Sequence, residues 1–294
     1  MPRQVAMRAA YVGIAANCCL LALKATASSL SDSLTIFSET LNSLSDVLSA
    51  VVILLCVRWA WMQPDWSHPF GHRRAEPIAA LVVSIFTAIL GFEVCRTTVI
   101  HLWTGELPQR IGPYPVAALV LTACIKSALA FYFRRRSKML NSPALKATSV
   151  DCRNDVFIAA QGLIGVLVAQ YQLKTLDVIT ATIVGLYILY SAYRLGVENL
   201  DYLMGRAPDD ETIQRIRAAA EGVPHVCHVG EIKGHYVGTF VQVELVACVD
   251  GQLSTAESHE IAESIREAVE AIANVDRAFV HIEPTEGREE KDEG

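Results

Sequence analysis

Two pairs of polar side chains lie inside long apolar stretches of the sequence. Asn42 and Asp46 form an N-x-x-x-D pair, and Asp151 and Asp155 form a D-x-x-x-D pair. Residues four positions apart on a helix project from the same face, one turn apart. A carboxylate at the centre of a membrane-spanning helix costs about 2.5–3.5 kcal/mol on insertion scales, so it needs a partner there. Three carboxylates and an amide are oxygen ligands that suit a divalent cation, and the two pairs therefore predict a metal site.

A different interpretation is that each of these polar side chains satisfies a neighbouring helix, as Asn and Ser often do in membrane bundles. It would account for one isolated aspartate more easily than for two pairs in which three of the four residues are acidic. Glu39 lies seven residues before Asp46, where it could line an access path or meet Lys24 or Lys126.

A second candidate metal site follows, where Asp65, His68 and His72 form a D-x-x-H-x-x-x-H pattern. Histidine and carboxylate are common ligands for Zn²⁺ and other transition metals. A proline and a glycine between the two histidines favour a turn that would let the three side chains converge. The alternative is a polar loop beside the membrane that binds lipid head groups through Arg73 and Arg74.

The C-terminal part of the chain is rich in histidine, with five of the eight histidines between residues 225 and 281. His281 and Glu283 alternate along a predicted strand and so share one face of it. The candidate ligands of a third metal site are His228, His235, Glu244, His259, His281 and Glu283. The alternative is that these histidines are ordinary solvated side chains.

The composition favours a membrane protein. The 294 residues are 52% hydrophobic and 19% charged, whereas a soluble protein carries about 25% charged residues. Charged residues are sparse from Ala9 to about Leu200 and frequent from Asp209 onward. The eight cysteines include no C-x-x-C pair and six lie in apolar segments, so no disulfide framework is expected. With a net charge of −6, no nucleic acid is expected among the partners.

Six apolar segments are long enough to cross a bilayer core of about 30 Å. They cover residues 7–28, 33–60, 77–103, 113–134, 144–171 and 175–202. The first could be mistaken for a signal peptide, but Asn17 and Lys24 interrupt it and five more spans follow. Lys and Arg are concentrated in the connections after the second and fourth spans, so the positive-inside rule places both termini in the cytoplasm. Short connections and a compact length favour a multi-pass protein of a prokaryotic inner (plasma) membrane.

The remaining sequence predicts a small α+β domain with the element order helix–strand–strand–helix–strand. Asp209 or Asp210 is expected to cap its first helix, and strands are expected at 226–233 and 239–249. The predicted fold is thus an α-helical membrane protein of six transmembrane helices, residues 1–206, followed by a cytoplasmic αββαβ domain, residues 207–285, and a disordered acidic tail, residues 286–294. A domain of about 80 residues is barely large enough to fold alone, so dimerisation through it is expected.

These features together resemble the cation diffusion facilitators. The resemblance covers about residues 7–285 and rests on the six spans, the paired ligands in spans 2 and 5, and the stretch His-Pro-Phe-Gly-His-Arg-Arg-Ala-Glu that begins at His68. It implies a homodimer in the lipid bilayer that exports divalent metal in exchange for protons, without enzymatic activity and without a prosthetic group. The metal ligands it implies are Asn42, Asp46, Asp151 and Asp155 for transport, Asp65, His68 and His72 in the loop, and His228, Glu244, His259, His281 and Glu283 in the cytoplasmic domain.

The transport ligands favour manganese over zinc. Zinc members of the family typically have histidine where this chain has Asp151, and Asp or His where it has Asn42, so the combination is similar to the manganese branch. Carboxylate-rich oxygen sites suit Mn²⁺, while imidazole suits Zn²⁺. In the cytoplasmic domain, Glu244 and Glu283 stand where zinc members commonly have histidine and aspartate.

The sequence therefore predicts Mn²⁺ export by alternating access, in which protons displace the metal because close carboxylates disfavour joint ionisation. Export of Zn²⁺, Fe²⁺ or Co²⁺ is the alternative within the family. An intramembrane aspartyl protease would also place acids in spans, but it gives no role to the loop histidines and its Gly-x-Gly-Asp run is missing. A membrane protein that senses metal without transporting it is a further alternative.

Overall fold

The long apolar runs of the sequence form helices in the structure, a computed structural model that describes residues 2–31, 34–104, 113–171 and 174–285. A backbone in lipid must satisfy its hydrogen bonds internally, and a helix does so within one segment. The chain divides into two compact units, Met1–Leu200 and Asp201–Gly294. The helices of the apolar part are α1 (Pro2–Ser31), α2 (Leu34–Ala60), α3 (Ala75–Thr104), α4 (Pro113–Leu140), α5 (Pro143–Tyr171) and α6 (Lys174–Leu203).

The six helices lie over the six predicted spans. Within the described ranges, five of them contain segments long and apolar enough to cross a membrane: Arg3–Thr26, Asn42–Ala60, Ala75–Thr104, Val116–Leu140 and Val178–Leu203. Helix α5 is not among these five. The predicted helical membrane fold is confirmed, whereas the crossing by α5 itself stays a prediction.

Small residues let these helices approach one another closely. Ala79 and Ala80 of α3 and Ala144 and Ala147 of α5 are fully buried in one cluster. At the contact of α6 with α3, a Cβ atom added to Gly185 would lie 2.6 Å from the Cys95 sulfur, so only glycine fits there without a shift. Alanine and glycine at such contacts are the usual basis of helix association in membranes, where helices gain little from hydrophobic burial.

The second unit contains α7 (Asp210–Glu221), β1 (Val226–Val237), β2 (Phe240–Val249), α8 (Thr255–Glu270) and β3 (Val275–Pro284). The predicted αββαβ order is confirmed. Strand β1 runs antiparallel to β2, β2 runs parallel to β3, and α8 makes the crossover between the two parallel strands. Strand β1 extends beyond the predicted end at residue 233 because its pairing with β2 continues to Val237 and Phe240, across a turn with Gly238 at φ 64°.

The core of this unit lies between one face of the sheet and the two helices. Val243 and Leu245 of β2 are buried against Ile216 of α7 and Ile265 of α8. Helix α7 begins after Asp209, whose side chain accepts a hydrogen bond of 2.8 Å from the Thr212 amide. The opposite face of the sheet carries the polar residues of the alternating strands. The predicted disordered tail at 286–294 lies outside the described residues.

Candidate metal centre

The carboxylates of the two predicted pairs come together between α2 and α5. Ligand oxygens of Asp46, Asp151 and Asp155 lie within 4.8 Å of one another, and Asp155 is buried. The convergence follows from the four-residue spacing, which gives Asp151 and Asp155 one face of α5, and from the packing of that face toward α2. A divalent cation could be held by one oxygen from each of the three side chains.

Asn42 lies on α2 one turn before Asp46 and is partly buried. The same spacing argument gives it the same face of the helix as Asp46. Its contribution of a fourth oxygen ligand stays a prediction.

A lysine that the sequence indicated only as a partner for Glu39 lies inside this group of acids. The Lys126 ammonium of α4 is 2.8 Å from Asp46 Oδ2 and 2.5 Å from Asp155 Oδ2. The Lys126 side chain is 2% exposed, so the ammonium is shielded from water. The signal in the sequence was a lone lysine in the middle of the apolar stretch 116–133. The side chain of Glu39 lies outside the described part of the structure.

Polar side chains from further helices surround the three carboxylates. Thr87 Oγ1 of α3 lies 3.4 Å from Asp151 Oδ1, within reach to donate a hydrogen bond. The Asn17 amide of α1 donates to the backbone carbonyl of Asp46 at 3.2 Å. Five helices thus contribute to the surroundings of the candidate site, and each of these contacts fixes the position of one acidic residue.

The loop residues Asp65, His68 and His72 also converge. Asp65 Oδ1 accepts a hydrogen bond of 2.7 Å from the His68 amide, and Asp65 Oδ2 is 3.3 Å from His72 Nε2. The two imidazole rings lie 4.5 Å apart, and Gly71 at φ 82° makes the turn between them. The His68 amide, followed by the neighbouring His72 and His68 side chains, lowers the pKa of Asp65 below its ordinary value despite some desolvation. An ionised carboxylate beside two imidazoles is a suitable set of ligands for a transition metal.

Glu76, four residues after His72, links the loop to the start of α5. Its carboxylate is buried and accepts a hydrogen bond from the Ser142 hydroxyl, and the same Ser142 oxygen accepts from the Leu145 amide at 3.4 Å. Ser142 thus satisfies one of the free backbone amides at the start of α5. Sequence reasoning included Glu76 in the loop motif but assigned it no role.

The cytoplasmic ligands are not brought together within one chain. His281 Nε2 lies 3.9 Å from Glu283 Oε1, and both residues are on the face of the sheet away from the helices. His259 is exposed on α8, which packs on the other face. Among the described residues, two groups of three or more His, Cys, Asp or Glu ligands converge: the aspartate triad of Asp46, Asp151 and Asp155, and the loop triad of Asp65, His68 and His72. A five-residue cytoplasmic site stays a prediction.

The register of the three strands places Cys248 beside two of the candidate cytoplasmic ligands, which the sequence did not indicate. His228 pairs with Cys248 across β1 and β2, and Cys248 pairs with Glu283 across β2 and β3. His228 and Glu283 are therefore in the same row as Cys248, whereas Glu244 lies in another row beside Lys233 and Phe279. Such pairings depend on register, which sequence spacing alone does not reveal.

Comparisons with known proteins match both units. Residues 10–204 match the family of cation efflux transmembrane domains. Residues 208–285 match the family of cation efflux protein cytoplasmic domains. The chain is 30% identical to the manganese efflux system protein MneS of Bacillus subtilis, over 94% of this chain and 95% of that protein. It is 26% identical to the cation-efflux pump FieF of Shewanella oneidensis, over 95% of this chain and 94% of that protein.

Among solved structures, the cadmium form of a single-residue variant of the MamM C-terminal domain is 32% identical to part of the chain. The match covers 26% of this chain and 95% of that structure, with a TM-score of 0.25.

Proposed function

The chain belongs to the cation efflux family, whose members are membrane transporters of divalent metal cations, and we propose that it exports Mn²⁺ through the site of Asp46, Asp151 and Asp155. The observation that carries this proposal is the convergence of the three carboxylates within the apolar unit. Oxygen ligands alone suit Mn²⁺ better than they suit Zn²⁺ or Cu²⁺, which favour imidazole or sulfur. The relative MneS, named as a manganese efflux protein, supports the same choice.

Proton antiport is the second part of the proposal. Three carboxylates so close together repel one another when all are ionised, so protons and metal compete for the same oxygens. In alternating access, the site would bind metal from the cytoplasm and release it to the other side, where protons take its place. The buried surroundings of the site favour this competition because a charge in the membrane must be compensated locally.

The proposed assembly is a homodimer in a prokaryotic inner membrane, with both termini in the cytoplasm. The match of residues 208–285 to a cation efflux cytoplasmic domain supports contact between two copies there. The small size of that unit agrees, since isolated domains of about 80 residues bury little surface. The orientation rests on the lysines and arginines after the second and fourth spans.

Metal flux into proteoliposomes tests the site directly. Purified wild-type protein should move Mn²⁺ at a rate that depends on an imposed pH gradient, and Asp46→Ala and Asp155→Ala should abolish this flux. Glu93→Ala is the matched control, because Glu93 is an exposed carboxylate of α3 that pairs with Arg96. Its flux should equal that of the wild type.

The proposal would be wrong if the two aspartate variants transported Mn²⁺ normally. Binding of Mn²⁺ without any flux would favour a metal sensor. Faster flux of Zn²⁺ or Fe²⁺ than of Mn²⁺ would agree with the proposed site but would contradict Mn²⁺ as its substrate. A pH gradient without effect would argue against proton antiport.

A further inference from the structure

We propose that the Lys126 ammonium is a tethered cation that competes with the metal substrate for the transport site. This inference rests on the proposed function of the three aspartates and adds a fourth member to the site. Lys126 approaches from α4, whereas the carboxylates lie on α2 and α5. It therefore bridges the two helices that supply the metal ligands, at the position where a metal ion would bridge them.

The contacts make the two cations mutually exclusive on the same oxygens. The ammonium lies 2.8 Å from Asp46 Oδ2 and 2.5 Å from Asp155 Oδ2. A divalent ion binds carboxylate oxygen at about 2.0–2.6 Å, so sharing either oxygen would bring the two cations within about 5 Å. Such a pair of positive charges, screened by little water, is strongly repulsive. Metal binding therefore requires the ammonium to withdraw from at least one of its partners.

The burial of the Lys126 side chain confines its ammonium group to partners within this site. A buried ammonium is stable only while it is paired, and Asp46 and Asp155 supply the recorded ion pairs. The four-carbon stem of lysine is flexible enough to move the charge without moving the helix. The Asn17 side chain of α1 donates through Nδ2 to the backbone carbonyl of Asp46. The Oδ1 atom of the same Asn17 side chain is buried and has no hydrogen-bond partner in the described structure.

The consequence for transport is a site that keeps a counter-charge when metal leaves. With the ammonium in place, Asp46 and Asp155 share one positive charge that offsets one of the three negative charges, so the carrier can change conformation without carrying three uncompensated carboxylates through the membrane. With the metal in place, the ammonium is displaced. The competition lowers the apparent metal affinity, because only the fraction of molecules with a displaced lysine can bind.

Metal binding by the full-length protein in detergent tests this inference. Lys126→Met removes the charge and keeps the length of the side chain. Its Mn²⁺ dissociation constant should fall by about tenfold, as expected if the competing lysine leaves roughly a tenth of the molecules competent to bind. Without metal its melting temperature should fall, and the gain in melting temperature on adding Mn²⁺ should be larger than for the wild type.

Two further variants distinguish competition from a structural role. Lys126→Arg keeps the charge and should stay close to the wild-type affinity. Lys138→Met removes an exposed lysine from the same helix and should change neither the affinity nor the Mn²⁺-induced gain in melting temperature. Lys126→Gln provides a neutral variant that can still donate hydrogen bonds, for use if the methionine variant fails to fold. Like Lys126→Met, it should bind Mn²⁺ more tightly than the wild type.

The inference is overturned if the neutral variants bind Mn²⁺ as the wild type does or more weakly. A structural role alone would lower the melting temperature equally with and without metal and would not tighten binding. The proposed function has a separate readout in the wild type. If wild-type protein binds Mn²⁺ and the neutral variants bind no better, only the role of Lys126 is wrong, whereas failure of the wild type to bind Mn²⁺ overturns both.

Discussion

At the scale of single residues, we expect the choice of metal to depend on Asp151. In the proposed site this residue supplies an oxygen where an imidazole would favour Zn²⁺. We expect Asp151→His to raise Zn²⁺ transport relative to Mn²⁺ by roughly 10-fold or more, the scale on which single changes around a metal act. Competitive uptake of Mn²⁺, Zn²⁺ and Fe²⁺ into vesicles measures the shift. Asp201→His, outside the triad, serves as the control, and an unchanged ratio in Asp151→His would count against the ligand argument.

The aspartate triad could be predicted from sequence, but the position of Lys126 among its carboxylates could not. The spacing of Asp151 and Asp155 places them on one helix face whatever the rest of the fold does. The position of Lys126 depends on how α4 lies against α2 and α5, and no local pattern encodes that packing. The loop triad was predictable for the opposite reason, since Asp65 and His72 are only seven residues apart and one turn brings them together.

At the scale of elements, the Glu76–Ser142 contact joins α3 to the start of α5. We expect Glu76→Ala to destabilise the membrane unit by about 1–3 kcal/mol, the usual effect of leaving a buried hydrogen-bonding group without its partner. Thermal unfolding of the detergent-solubilised protein measures this. Glu93→Ala, at an exposed carboxylate of α3, is the control and should have the same melting temperature as the wild type. Equal melting temperatures for both variants would show that the buried contact contributes nothing.

The start of α8 predicts a pH dependence. Ser254 and Glu257 form a capping box, and the Ser254 hydroxyl and amide lower the pKa of Glu257 below its ordinary value. A lowered folded-state pKa means that the contribution of Glu257 is complete above the ordinary carboxylate range and is lost as pH falls through the lowered value. The protection factors of the amides in the first turn of α8, which compare their hydrogen exchange with that of an unstructured chain at the same pH, should therefore fall on acidification.

The matched variant for this prediction is Ser254→Ala, which should cost about 1 kcal/mol of helix stability. Its first-turn amides should have lower protection factors at neutral pH, and these factors should fall less on acidification than those of the wild type. Ser258→Ala leaves the capping box intact and should behave as the wild type. Wild-type protection factors that do not change with pH would contradict the assignment.

The cytoplasmic unit shows which elements sequence patterns predict and which they do not. Val241, Val243 and Leu245 alternate with polar residues in the sequence, which predicts strand β2 and the face of it that is buried. Strand register and the side on which α8 packs are set by tertiary contacts. Those contacts place His259 on α8 and His281 on the opposite face of the sheet, so a site that includes both within one chain does not follow from their closeness in sequence.

At the scale of the whole molecule, the orientation in the membrane can be measured through Cys227, which is exposed in the second unit. In a variant that retains only this cysteine, a membrane-impermeant maleimide should label everted vesicles and leave intact cells unlabelled, because the positive-inside rule places this unit in the cytoplasm. Gln109→Cys, between α3 and α4, is the reciprocal control and should be labelled in intact cells. Labelling of Cys227 in intact cells would reverse the predicted orientation.

The close connection of α4 to α5 has a consequence for biosynthesis. Only Asn141 and Ser142 separate the two helices, with Asn141 in the left-handed region at φ 49°. Helix α5 contains Lys146, Asp151, Arg153 and Asp155, and charged side chains are costly in lipid. Helix α4 is synthesised before α5 and carries Lys126 in its apolar stretch. We expect the two helices to enter the bilayer as a hairpin in which Lys126 pairs with Asp155. The same lysine would then serve first in membrane insertion and afterwards, in each transport cycle, at the metal site.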